Sequence, residues 1–115
     1  PYTTLFRSRS HNLNNLIVMI DNNNISSITA TRNVIDMNPL RNRFEGFGFD
    51  AYEVDGHDVN EILEVIARIR AARRPSVAIC NTIKGRGVPF AENQPIWHYR
   101  SLDDELYRQA MNALQ

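Results

Sequence analysis

An α/β fold built on a parallel sheet is what this sequence predicts, and three observations carry the prediction. Leu16–Ile20 and Val77–Cys80 are short apolar runs, the length of buried strands. Other segments place apolar residues at three- and four-residue spacing, the period of a helix packed by one face. The two kinds alternate, and a strand–helix–strand crossover within one sheet sets its strands parallel. The order reads β-α-β-α-β, then a loop, then a helix. Three parallel strands are few for a complete doubly wound sheet, so the reading is of part of one, with a sheet that continues.

Each element has its own warrant. Leu16-Ile17-Val18-Met19-Ile20 lies between Asn15 and Asp21 and reads as a strand buried on both faces. Asn38-Pro39 opens a helix, with Asn as N-cap and Pro in the first turn. Leu40, Phe44 and Phe47 share a face of it, and Gly46 and Gly48 end it. Phe49 to Val54, rich in aromatic and β-branched residues, is the second strand. Asp55-Gly56 turns the chain, and Asp58 with Glu61 forms an acidic capping box. The helix that follows spaces Val59, Ile62, Leu63, Ile66 and Ile69 helically. It closes on Arg70, Arg73 and Arg74, which suit a helix C-terminus, and Pro75 stops it. Val77–Cys80 is the third strand. A loop with few apolar residues runs from Lys84 to Arg100. Ser101 and Asp104 cap a last helix with Leu102, Leu106, Ala110 and Leu114 on one face.

Composition narrows the function. Of 115 residues, 43% are hydrophobic and 23% charged, an ordinary globular balance. Thirteen basic and thirteen acidic side chains cancel, which argues against a nucleic-acid binder and against an electrostatic membrane anchor. The longest apolar run is far too short to span a bilayer. One cysteine, Cys80, forms no internal disulfide and fits a reducing, cytoplasmic setting. Pro1–Ser8 matches one reading frame of a common DNA-sequencing adaptor; it has no apolar period and no cap, and is set aside as non-native. The natural domain is then read from Arg9 to Gln115.

Ligands of a parallel sheet bind beyond the carboxyl ends of its strands, which directs attention to three loops. Asp21-Asn22-Asn23-Asn24-Ile25 could offer oxygen to a hard cation or could simply turn the chain. Asp55-Gly56-His57-Asp58 is read mainly as a turn and cap. Lys84-Gly85-Arg86-Gly87 could let backbone approach a phosphate while Lys84 or Arg86 neutralises charge, although it is neither a P-loop nor a dinucleotide fingerprint. His98, beside Trp97 in a polar loop, is a candidate proton-transfer group. Cys80 reads as a core residue.

The order of these segments resembles the transketolase family. Asn12–Asn23 is similar to the family's stretch ending in Asp-Asn-Asn. Phe44–Phe49 resembles its helix-to-strand junction, and Val54–Asp58 its Asp-Gly-His-Asp turn. Asn81–Val88 and Glu92 through His98 match its Lys-Gly-x-Gly and Trp-His segments. The resemblance covers about His11 to Leu114, the second half of the thiamine-diphosphate-binding domain. It implies thiamine diphosphate and a divalent metal, Mg2+ or else Ca2+ or Mn2+. Asn23, by its side chain, and Ile25, by its backbone carbonyl, would be metal and cofactor ligands. Lys84 and His98 would face the cofactor, with His98 catalytic.

The implied reaction is transfer of a two-carbon ketol unit between sugar phosphates. The implied partners are the first half of the domain, with its metal-binding Asp in a Gly-Asp-Gly segment, and a pyrimidine-binding subunit or domain. The expected assembly is a homodimer or a split-subunit complex, and the chain alone is expected to be inactive. Ser26-Ser27-Ile28-Thr29 and Tyr99-Arg100 depart from the pattern of many members, and resemble split-subunit relatives more. Deoxyxylulose-phosphate synthase, a 2-oxoacid dehydrogenase E1 component and a non-catalytic anion-binding module are the alternatives.

Overall fold

The computed structural model describes residues 2–115; Pro1, the first residue of the adaptor-like segment, lies outside them. The elements are α1 (Tyr2–Ser10), β1 (Ile17–Asn22), α2 (Thr31–Val34), α3 (Leu40–Gly46), β2 (Asp50–Asp55), α4 (Val59–Ala72), β3 (Ser76–Asn81) and α5 (Asp104–Ala113), with a 3-10 turn at Pro95–His98. The chain forms two compact units. One holds the residues up to Asn22 with Met37–Thr82, and the other holds Asn23–Asp36 with Ile83–Gln115.

The first unit is the sheet unit. Its three strands run parallel, as the alternating pattern predicts, and lie in the order β1–β3–β2. Ile17 pairs with Ser76 on one side of β3, and Asp50 pairs with Ser76 on the other. The crossover from β1 to β2 and the return to β3 move in opposite directions across the sheet. Right-handed crossovers therefore put their helices on opposite faces. One face carries Val54, Ala78 and Cys80 against Val65 and Ile69 of α4. The other carries Ala51, Val77 and Ile79 with Phe49, against Leu40 and Phe44 of α3. Val77, Ile79 and Ile69 are almost wholly buried, and each such side chain contributes about 1.5–3 kcal/mol by leaving water.

β1 is not buried on both faces, as its unbroken apolar run suggested. It is an edge of this sheet, and Met19 is 52% exposed. Along α4 the helical spacing holds from end to end, but only one flank meets the sheet. Ile62, Val65 and Ile69 pack inward, while Val59 and Leu63 are exposed.

The caps follow local chemistry, with adjustments. Asp58 accepts hydrogen bonds from the amides of Asn60 at 2.8 Å and Glu61 at 3.2 Å. Glu61 reaches back one turn further than a capping box requires, to the Asp55 amide at 2.8 Å. α3 begins after Pro39, which itself occupies the extended N-cap position, so Asn38 does not cap it. Arg43 instead ties the approach, donating to the carbonyls of Met37 at 2.7 Å and Asn38 at 3.3 Å. α3 ends in a Schellman motif: the Phe49 amide donates to the Phe44 carbonyl and the Gly48 amide to that of Glu45. Gly48 takes the left-handed φ of 82° that this ending needs, and the Phe44 and Phe49 rings meet edge to face at 5.9 Å. On α5 the cap is Asp103, whose carboxylate accepts from the Leu106 amide at 2.8 Å, rather than Ser101 and Asp104.

The adaptor-like stretch, set aside above for want of an apolar period and a cap, is helical over Tyr2–Ser10. Leu5 packs against the α3 side of the sheet, and Phe6 meets Phe47 edge to face at 4.9 Å. Ser8 is buried with its hydroxyl donating to the Thr4 carbonyl at 2.6 Å. Tertiary contact supplies what local periodicity lacks.

Gly48→Ala, which places a side chain at left-handed φ, is expected to lower stability by about 1 kcal/mol in urea unfolding. Asp58→Ala is expected to lower it by a similar ~1 kcal/mol through loss of the α4 cap.

Candidate active site loops

Three loops leave the carboxyl ends of the strands, as the topology requires. In the first, the acid-amide run divides its duties. Asp21 accepts the hydroxyl of Thr82, and the Asn22 side-chain amide donates to Asn81 Oδ1 at 2.8 Å. Both therefore tie β1 to β3. Asn23 and Ile25 have a different arrangement. Asn23 Oδ1 accepts the Ile25 amide at 2.9 Å, an Asx turn, with Asn24 at the left-handed φ of 60° between them. Ile25 and Ala30 then face each other across a small antiparallel hairpin. The bonds of that hairpin come from the flanking residues: Ser26 N–H to Thr29 O at 2.8 Å and Thr31 N–H to Asn24 O at 2.9 Å. Ile25 is thus a non-hydrogen-bonded pair member, and its carbonyl points away from Ala30.

The second loop is a turn and a cap. Asp55 Oδ1 accepts the His57 amide at 2.8 Å, and the Gly56 amide donates to the Asn81 carbonyl at 2.8 Å. A Cβ on Gly56 would lie 2.3 Å from Thr82 Cγ2 and 3.0 Å from Cys80 Cβ, so this glycine answers a close approach of β3. His57 is half-buried and its backbone serves the turn. Cys80 is buried, and burial pushes its thiol pKa up, with the charge of Asp21 adding to the effect. A thiol so placed is a poor nucleophile.

The third loop is self-tied. The Asn93 amide donates to the Lys84 carbonyl at 2.9 Å, and Gly87 N–H donates to Glu92 Oε1 at 3.0 Å. The Gly87 amide is therefore engaged within the loop rather than presented to a phosphate. Gly85, at φ 73°, is packed so closely on Ala91 that a Cβ would lie 2.7 Å from its carbonyl oxygen. The glycines serve the loop's own compactness. Trp97 anchors the far side: its Nε1–H donates to the Phe90 carbonyl at 3.0 Å, and the two rings stack edge to face at 5.2 Å. The Arg100 guanidinium lies 5.1 Å from the Trp97 ring centre. Lys84 is half-buried and lines a cavity of about 270 Å3 with Val88, Phe90, Trp97, Leu102 and Ala110. His98 is exposed at the end of the 3-10 turn, directly after the anchored Trp97.

All four residues singled out from the sequence, Asn23, Ile25, Lys84 and His98, belong to the second compact unit. The donor set suits a hard divalent cation: an amide oxygen and a backbone carbonyl two residues apart. Among the described residues no group of three or more His, Cys, Asp or Glu side chains is placed to hold a metal ion. Sequence reasoning missed the Asp21–Thr82 and Asn22–Asn81 links, because they depend on the register of two strands far apart in the chain.

Fold and loops define a parallel α/β domain with three loops at the carboxyl ends of its strands. The family described as "Transketolase, thiamine diphosphate binding domain" matches residues 7–114, and the chain belongs to it. It is 32% identical over 90 residues to one subunit of an apulose-4-phosphate transketolase from Actinobacillus succinogenes, covering 78% of this chain and 33% of that protein. It is 30% identical over 104 residues to one subunit of a 6-deoxy-6-sulfo-D-fructose transketolase from a Clostridium species, covering 90% and 38%. Among solved structures, transketolase from Campylobacter jejuni superposes with a TM-score of 0.88 at 27% identity, covering 97% of this chain and 18% of that one. The chain thus spans about a third of the length of these two curated relatives. Among the described residues no helix is long and apolar enough to cross a membrane.

Cys80 is expected to react with a thiol reagent at pH 8 at least roughly tenfold more slowly in the folded chain than in urea. Equal rates would contradict the buried placement.

Proposed function

We propose that residues 9–115 are the second half of a transketolase-type domain, and that the assembled protein transfers a two-carbon ketol unit between sugar phosphates in a cytoplasmic setting. The observation that carries this reading is the Asn23–Ile25 turn. It sets an amide oxygen and an outward carbonyl two residues apart, oxygen donors of the kind that would hold Mg2+. Thiamine diphosphate, when bound, would supply carbanion stabilisation that no side chain offers.

The chain's own residues do the rest. Asn23 and Ile25 would hold the metal. Lys84, partly desolvated at the mouth of its loop, neutralises negative charge on the diphosphate. His98 holds or moves a proton at a substrate oxygen; exposure leaves it open to an incoming sugar, and the packed Trp97 fixes its backbone. Both named relatives are subunits, which supports an assembly in which another chain or domain completes the site. These 115 residues contain no Gly-Asp-Gly segment to supply the third protein ligand, so the chain alone is proposed to be inactive.

The test is a coupled ketol-transfer assay. The chain alone is expected to show no turnover. The assembled protein is expected to require thiamine diphosphate and Mg2+, to lose activity on chelation, and to bind Mg2+ roughly tenfold or more weakly after Asn23→Ala. Turnover by the chain alone would refute its incompleteness. Activity indifferent to thiamine diphosphate would refute the cofactor reading.

A further inference from the structure

The carboxyl ends of β1 and β3 are joined by more than the sheet's ladder. In register, Asp21 lies opposite Cys80 and Asn22 opposite Asn81. Three further bonds are made at this end. The Asn22 side-chain amide donates to Asn81 Oδ1 at 2.8 Å, the Thr82 amide donates to the Asn22 carbonyl at 3.3 Å, and the Thr82 hydroxyl donates to Asp21 Oδ1. The next residues are Asn23 on one chain segment, and Ile83 and Lys84 on the other. Gly56 adds a tie from the β2 side, its amide donating to the Asn81 carbonyl at 2.8 Å.

We propose that Thr82 and Asp21 are positioning residues: their hydroxyl–carboxylate bond holds the exits of β1 and β3 together and so orders the turn that presents Asn23 and Ile25. The meaning of this clamp for catalysis rests on reading Asn23 and Ile25 as metal ligands; the clamp itself does not.

Physical chemistry favours such a device here. Strand ends fray unless tied. A ligand constellation functions only when held to within about 0.5 Å of its productive geometry. Threonine suits the task, because branching at Cβ stiffens χ1 and so aims the hydroxyl. An ionised acceptor makes the bond stronger than a neutral pair would. The pairing also explains why Asp21, inside an acid-amide run, belongs to the sheet rather than to the ligand set.

The experiment is amide hydrogen exchange by NMR on the full 115-residue chain, comparing wild type, Thr82→Val and Thr82→Ser. Valine keeps the branched shape and removes the hydroxyl; serine keeps the hydroxyl. In Thr82→Val the amides of position 82 and of Ile25 are expected to exchange about tenfold faster, while those of Val77–Ile79 keep their wild-type rates. Thr82→Ser is expected to restore slow exchange at both. Unchanged exchange at Ile25 in Thr82→Val overturns the proposal. So does an equal acceleration at Val77–Ile79, which would show a general loss of stability. No metal or cofactor enters this readout, so it stands apart from the cofactor reading. Mg2+ titration of the assembled protein in the presence of thiamine diphosphate tests that reading separately. Faster Ile25 exchange in Thr82→Val together with an Mg2+ affinity that Asn23→Ala leaves unaltered would keep the clamp and remove the metal assignment.

Discussion

Burial of β3 is the constraint on which the rest of this molecule depends. Ser76–Asn81 is hydrogen-bonded on both edges, and Ser76 to Cys80 are buried on both faces. A backbone in that position must satisfy every amide and carbonyl through its neighbours. β1 and β2 are therefore required on either side, and α4 and α3 above and below. The parallel pairing then brings all three carboxyl ends to one edge of the sheet. Placement of the loops is a consequence of how β3 is buried, and precedes any question of what the loops bind.

At that edge, side chains that look alike in sequence do different work. Asp21, Asn22 and Asn23 are consecutive and chemically similar, yet the end of the β1–β3 ladder at Asn22 separates them. Asp21 and Asn22 end in bonds to Thr82 and Asn81, whereas Asn23 lies past the last ladder position and folds back on the Ile25 amide. The change of role falls where pairing with β3 stops. A carbonyl inside the ladder has a partner; the Ile25 carbonyl, in a non-hydrogen-bonded position of a short hairpin, is directed elsewhere.

The loop after β3 shows how glycine and aromatic residues stiffen an irregular segment. Gly85 allows the Ala91 carbonyl to close on the backbone, Glu92 engages the Gly87 amide, and Trp97 is held by the Phe90 carbonyl. A long loop with these internal ties can place Lys84 and His98 at its two ends without regular secondary structure. The Lys84 carbonyl, the Gly87 amide and the Phe90 carbonyl are all engaged within the loop itself.

Most of the fold was legible in the residues. The Leu16–Ile20 and Val77–Cys80 runs, the Asp58 cap, the glycines that end α3 and the alternation of periods all report local physics, and local physics acts through neighbours in sequence. The family was legible too, because Asp21–Asn23, Asp55–Asp58, Lys84–Gly87 and Trp97-His98 stand in one order. Exposure was not. Met19 and Val59 are as apolar as their buried neighbours, and only the sheet's order and the flank of α4 that meets it decide which are covered. Nor was the helix Tyr2–Ser10, which depends on contact with α3 and the sheet rather than on its own pattern. The pairing of Asp21 with Thr82, and the sparing of Asn23 and Ile25 from it, were likewise decided by tertiary structure. They depend on the register between strands sixty-one residues apart at that bond, a quantity set by packing across the whole sheet and carried by no single stretch of chain.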